Sequence, residues 1–149
     1  MLVSSDPVIL ALEEQVGCYR RLAKLAEIQH EHVQQSRTEA LLEVLGKRQE
    51  VLGDVSRLER VIGPAKKGWG EFVGRLGAAE RGRAEGLLAE TRKLLEEITA
   101  ADRNDALVLQ QRKLSVGRQI NQATAARQVN RNYAASAYGG KSARVDFSS

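Results

Sequence analysis

From Ala78 to Ala137 the chain contains no proline, and its only glycines are Gly82, Gly86 and Gly117. A continuous helix over that stretch would measure roughly 90 Å at about 1.5 Å per residue. A compact chain of 149 residues has a radius of gyration near ~15 Å, so such a helix does not fit inside a globule. Either the molecule is elongated or the helix breaks. In both cases the C-terminal part has little of its own chain to pack against, which points to a partner.

Composition agrees with long helices. Six aromatics (Tyr19, Trp69, Phe72, Tyr133, Tyr138 and Phe147) leave little material for stacked sheets, and Leu, Val, Ala, Glu, Arg and Gln dominate. The length suits one domain. Cys18 is the only cysteine, so no internal disulfide can form and a reducing cytoplasm is the expected home. Met1–Asp6 shows neither a basic start nor an apolar run, which predicts no signal peptide. No window approaches the apolar length of a membrane span, so membrane insertion is not expected. Charge is uneven. Arg112 to Ser149 holds seven Lys/Arg and one acid, Asp146, a balance of +6; the whole chain is +4, so the preceding residues sum to −2. Such a tail suits an acidic protein, nucleic acid or an anionic surface, or serves as a solvated face that keeps the chain soluble.

Asp6 and Pro7 open a first helix, as N-cap and first helical residue. Leu12, Val16, Tyr19, Ala23, Ala26, His30 and Val33 then recur at spacings of four and three, the periodicity of a coiled coil. Ser36-Arg37-Thr38-Glu39 fits a capping box that would start a second helix, although a helix running straight through Gln34–Thr38 is also compatible. The second helix carries Leu41, Leu42, Leu45, Leu52, Val55, Leu58 and Ile62, and Gly63-Pro64 is expected to stop it. Seven glycines lie between Gly63 and Gly86. They suggest a connector with a short helix from about Pro64 to Leu76, in which Trp69 and Phe72 cap the helix ends. The third helix buries Leu87 or Leu88, Leu94 or Leu95, Ile98 and Leu109. Beyond Arg112 its stripe thins to Val116, Ile120, Ala123, Ala126, Val129 and Tyr133. Gly139-Gly140 ends the pattern.

Catalytic chemistry finds no support. Glu27-Ile28-Gln29-His30 has the spacing of a di-iron ligand pair, but that site needs a second such motif and more inward carboxylates. His30 and His32 diverge on a helix, and Cys18 has no histidine placed for a dyad. No Gly-x-Ser-x-Gly, Walker loop or paired-cysteine motif occurs. No catalytic residue, metal site or cofactor is expected. Nucleic-acid binding is also not expected: Arg112, Lys113, Arg118, Arg127 and Arg131 do not share one tight face, and only Tyr133 and Tyr138 could stack on bases.

The block Leu41-Leu42-Glu43-Val44-Leu45-Gly46-Lys47-Arg48-Gln49-Glu50-Val51-Leu52 resembles the second-helix signature of FlgN-type flagellar export chaperones. The long last helix adds to the likeness, with Asp102 and Asp105 near its middle, then polar and basic turns, then Tyr133 and Tyr138 before a glycine pair. Ser142-Ala143-Arg144-Val145-Asp146 is similar to tails in that group, and the resemblance runs from about Val8 to Asp146. It implies a bacterial cytoplasmic chaperone of type III flagellar export, without ATP hydrolysis. Such chaperones bind the C-terminal helical segments of hook–filament junction proteins, prevent premature assembly and deliver them to the export gate. The related FliT-type chaperone serves the filament cap protein. A tyrosine near the C-terminal end is implicated in gate docking, and Tyr133 and Tyr138 both match. The glycine-rich 63–86 region departs from the leucine-rich helices of that pattern.

The sequence therefore predicts an all-α, elongated, antiparallel helical hairpin or bundle, coiled-coil-like, with a long, projecting C-terminal helix. Its single domain (1–149) divides into helix 1 (6–35), helix 2 (38–62), a glycine-rich connector (63–77), a long helix (78–137) and a flexible tail (139–149). The expected core is Leu12, Val16, Tyr19, Leu45, Leu52, Leu95 and Ile98. The expected client surface is Val116, Ile120, Ala123, Ala126, Val129 and Tyr133, taking an amphipathic helix. A homodimer is compatible with the same stripe. The competing reading is a coiled-coil scaffold that self-associates through the Leu12–Val33 and Leu41–Ile62 faces.

Overall fold

A computed structural model describes residues 6–137, excepting the side chains of residues 130 and 132–137. The readings placed on Met1–Ser5, on Tyr138, on the Gly139-Gly140 stop, on the 139–149 tail and on the Tyr133 side chain lie outside the described residues. Four helices follow in order: α1 (Pro7–Gln34), α2 (Thr38–Lys67), α3 (Trp69–Gly74) and α4 (Ala78–Ala137). No strand occurs among the described residues. Two compact units result, Met1–Ala106 and Leu107–Ser149. The first holds α1, α2, α3 and the start of α4, and the second holds the rest of α4.

The first unit is a helical bundle organised on α1. Asp6 starts α1, its Oδ1 accepting the N–H of Val8 at 2.8 Å and of Ile9 at 3.3 Å; this satisfies two of the donors that a helix start leaves open. The helix ends at a turn in the predicted place, but the capping box does not form. Arg37 is the N-cap of α2 and makes no side-chain cap bond. Ser36 instead adopts the left-handed conformation, with φ 56°. Its N–H donates to the Val33 carbonyl and the Arg37 N–H to the His32 carbonyl, the closure in which a left-handed residue terminates a helix.

The chain therefore doubles back, and α2 packs antiparallel on α1. Gln15 meets Val55 and Glu59, whereas Gln29 meets Arg48, so position falls along α2 as it rises along α1. On α4 it rises: Glu13 pairs with Arg83, Arg20 with Glu90 and His30 with Asp105. Because α1 receives both neighbours, it is buried over a wide arc that includes Ile9, Leu12, Val16, Cys18, Tyr19, Leu22, Ala26 and Val33. Of the two faces assigned to a self-associating scaffold, Leu12, Val16, Val33, Leu58 and Ile62 are packed within one chain, whereas Leu42, Leu45 and Leu52 stay exposed.

Three of the seven expected core residues are not core. Leu45, Leu52 and Leu95 are each at least 40% exposed. The inward seam of α2 runs Val44, Arg48, Val51, Val55, Leu58, Ile62 and Ala65, alternating four and three. Leu45 and Leu52 follow Val44 and Val51 by one residue, about 100° around the helix. On α4 the seam is Ala84, Leu87, Thr91, Leu94, Ile98 and Asp105. That choice settles Leu87 over Leu88 and Leu94 over Leu95. Leucine content alone does not set the phase of either helix; the periodicity of the buried set does.

Gly63-Pro64 does not stop α2, which continues to Lys67 with Pro64 inside it. A proline in a helix costs about 3 kcal/mol through its lost donor and its ring. Fully buried Ile62 and half-buried Ala65 hold that last stretch on the core, and burial of an isoleucine is worth about 1.5–3 kcal/mol. Lys66 also pairs with Glu59 across the proline turn at 2.9 Å. Consequently the short helix of the connector is only Trp69–Gly74. Its Phe72 is buried and Trp69 packs on the same cluster as Ile9 and Ile62, with ring centroids 5.4 Å apart. The pair caps that end of the bundle.

Candidate partner-binding surface

At the other end of the first unit the seam turns polar. Asp105 is 1% exposed; its Oδ2 accepts from Gln29 Nε2 at 3.1 Å and its Oδ1 meets His30 Nδ1 at 2.8 Å. Arg48 donates to Gln29 Oε1 at 2.6 Å and grips both oxygens of Asp102 at 2.7 Å. The Asp102 hydrogen bond raises the Arg48 guanidinium further above its ordinary value, against the opposing effect of burial. A bidentate pair of this kind fixes angle as well as distance. Gln29, Arg48, Asp102 and Asp105 thus align three helices in one layer, where an apolar layer would permit sliding. Asp102 and Asp105 entered the sequence reading only through the family pattern, and Arg48 only as part of the leucine block. The missed signal was polar residues at seam positions, Arg48 among valines and Asp105 two turns beyond Ile98 and one beyond Ala101.

His30 is accordingly a half-buried interface residue, and Glu27 is exposed. Among the described residues no group of three His, Cys, Asp or Glu side chains is placed to hold a metal ion. Between α1 and α4 lies an open groove of about 400 Å³, lined by apolar Ala23, Ala26, Ile98 and Ala101 and by polar Glu27, His30, Glu97 and Asn104. No described helix is long and apolar enough to cross a membrane.

The second unit differs in kind. From Leu107 to Val129 no residue is buried, and Leu107, Leu109, Leu114, Val116, Ile120 and Val129 are each more than 40% exposed. Six large apolar side chains are thus uncovered within this one stretch of helix, where isolated exposed apolar residues are the ordinary case. Of the expected client residues, Val116, Ile120, Ala123, Ala126 and Val129 all lie exposed on α4, and Tyr133 lies on its backbone.

An unbroken helix also sets their phase. At about 100° per residue, Leu109, Val116, Ile120 and Ala123 share an arc of about 60°. The successive steps of three through Ala126 to Val129 wind away from it, and Leu107, Leu114 and Val129 line another side. The expected surface is therefore two stripes, joined by Leu114 and by Leu109, which was expected to be buried but is 42% exposed because it lies beyond the bundle seam that ends at Asp105. Cations obey the same geometry. Arg112, Lys113, Arg127 and Arg131 lie within about 50° of the mid-line of the Leu109–Ala123 stripe, and Arg118 lies opposite. Four of the five basic residues therefore fall within an arc of about 100°, and Arg118 keeps the five from sharing one face.

A model of the FlgN protein family matches residues 1–139. The chain belongs to the FlgN family. Neither the curated proteins nor the solved structures offer a match. FlgN proteins are flagellar export chaperones, a family of binding proteins and not of enzymes, and their partners are flagellar proteins. In this FlgN-family chain the leucine-rich second-helix block is a single surface and core element. Val44, Arg48 and Val51 face inward, while Leu42, Leu45 and Leu52 face out.

Proposed function

We propose that this chain is a cytoplasmic chaperone of hook–filament junction proteins, holding their C-terminal helical segments until delivery to the type III export gate. The observation that carries the reading is the exposed apolar surface on residues 107–129 of a chain in a chaperone family. A client helix laid along α4 would cover Leu109, Val116 and Ile120 in the helix-in-groove manner. The same contact would hide the client's own assembly surface. Tyr133 and Tyr138 remain the candidates for gate docking. The filament cap protein is the alternative client, and the same experiment separates the two.

The test is co-purification of the full chain with junction and cap proteins of the same genome, each with and without its C-terminal helical segment. A stoichiometric complex lost on truncation is the expected result and names the client. Ile120→Asp is expected to weaken that complex at least a hundredfold while the melting temperature of the free chaperone moves by less than about 2 °C, because Ile120 is 60% exposed and surface changes cost little. Failure of every junction and cap protein to bind would overturn the reading. Unfolding of the Ile120→Asp variant would place Ile120 in a core and overturn the site.

A further inference from the structure

The client reading leaves the chemistry of the occupant open, and the charge pattern of α4 narrows it. No Asp or Glu occurs between Asp105 and Asp146. Over the same span the Leu109–Ala123 stripe is bracketed by cations on its own face. Arg112 and Lys113 stand before Val116, Ile120 and Ala123, and Arg127 and Arg131 stand after them. Lys113 and Arg127 are fourteen positions apart, about 21 Å or four helical turns. An apolar centre with a charged border is the plan of a protein-binding patch. Here every border charge on that face has one sign, and the segment supplies no carboxylate of its own.

Building on the chaperone reading, we propose that the segment captured by this face is an acidic amphipathic helix. Its apolar residues, spaced i, i+4 and i+7, lie on Val116, Ile120 and Ala123, and its carboxylates stand about four turns apart beside Lys113 and Arg127. The apolar centre supplies affinity. The carboxylates supply register and speed of encounter, because complementary charge at a rim acts chiefly on association and on partner choice. Nucleic acid is the other polyanion that suits a cationic helix. This face presents leucine, valine and isoleucine along its mid-line, and no aromatic residue lies between Phe72 and Tyr133 to stack on bases.

The experiment displays a library of 22-residue helices to the full-length protein at about 150 mM salt. Apolar positions are fixed as leucine, and the flanking positions are randomised among Glu, Gln and Lys. Wild-type protein is expected to enrich Glu at flanking positions at least fivefold over Gln. Lys113→Gln/Arg127→Gln is expected to lose that preference, and Lys113→Glu/Arg127→Glu to reverse it toward Lys, with thermal melting confirming that each variant is folded. Selection without a Glu preference, no selection at all, or a preference unchanged in both variants would overturn the proposal. Tighter binding of a 20-base-pair DNA duplex than of the best selected peptide, at the same salt, would assign the face to nucleic acid and overturn it too. Absence of an acidic preference in the wild-type protein with client co-purification intact removes this inference alone, whereas absence of co-purification removes the chaperone reading.

Discussion

Ser36 holds the left-handed conformation that closes α1, a backbone region costing roughly 1–2 kcal/mol for a residue with a Cβ. Ser36→Gly should therefore stabilise the protein by about 0.5–1 kcal/mol, once the greater freedom of glycine in the unfolded chain is subtracted. Urea unfolding of the two proteins measures this, and a destabilised variant would contradict the strain. Tyr19 gives a second test. Burial, then the nearby Glu59 and Cys18, raise its phenol above the ordinary 10.0. The unfolded chain releases that proton near pH 10 while the fold still retains it. The stabilisation is whole below pH 10 and is lost as pH rises through the elevated folded value. Stability measured from pH 8 to 11 should fall more steeply in wild type than in Tyr19→Phe, and parallel curves would contradict the cause. Neither effect was legible in the sequence. Ser36 looked like an N-cap because serine at the head of Ser-x-x-Glu usually is one, and only the path of the backbone shows that it belongs to the preceding helix.

The helices as elements were more legible than their phases. Breaker-free length gave α4 its full extent, and Asp6-Pro7 gave the start of α1, because both depend on local backbone chemistry. Which face of α2 turns inward depends on the neighbour it meets. The leucines at 45 and 52 pointed to a phase one residue away from the valine seam. A matched pair of substitutions tests the seam. Leu58→Ala, at a position 3% exposed, should cost about 3 kcal/mol, and Leu45→Ala, at 43% exposed, less than about 1 kcal/mol. Equal losses in chemical denaturation would contradict the phase assigned here. Pro64 shows the same limit: local propensity favours a stop, but burial of Ile62 and Ala65 against α1 and α3 carries the helix past it.

At the scale of the whole molecule, the chain contrasts a bundle with a buried core, which still exposes Leu42, Leu45, Leu52 and Leu95, with a stretch from 107 to 129 in which no residue is buried. The bundle ends in a layer of Gln29, Arg48, Asp102 and Asp105. That contrast was partly legible, since the thinning of the stripe beyond Arg112 and the basic balance of the tail are both visible in the letters. The split of the client surface into two stripes was not, because runs of three-residue spacing look regular in sequence yet wind around an α-helix by about 60° at each step. The measurement that addresses the central claim most directly is hydrogen–deuterium exchange along the chain, with the free protein compared with its purified client complex. The account predicts slowed exchange concentrated in residues 107–131, with the α1 and α2 amides unchanged. Protection of α1 and α2 with residues 107–131 unaffected would contradict it and move the client to the bundle.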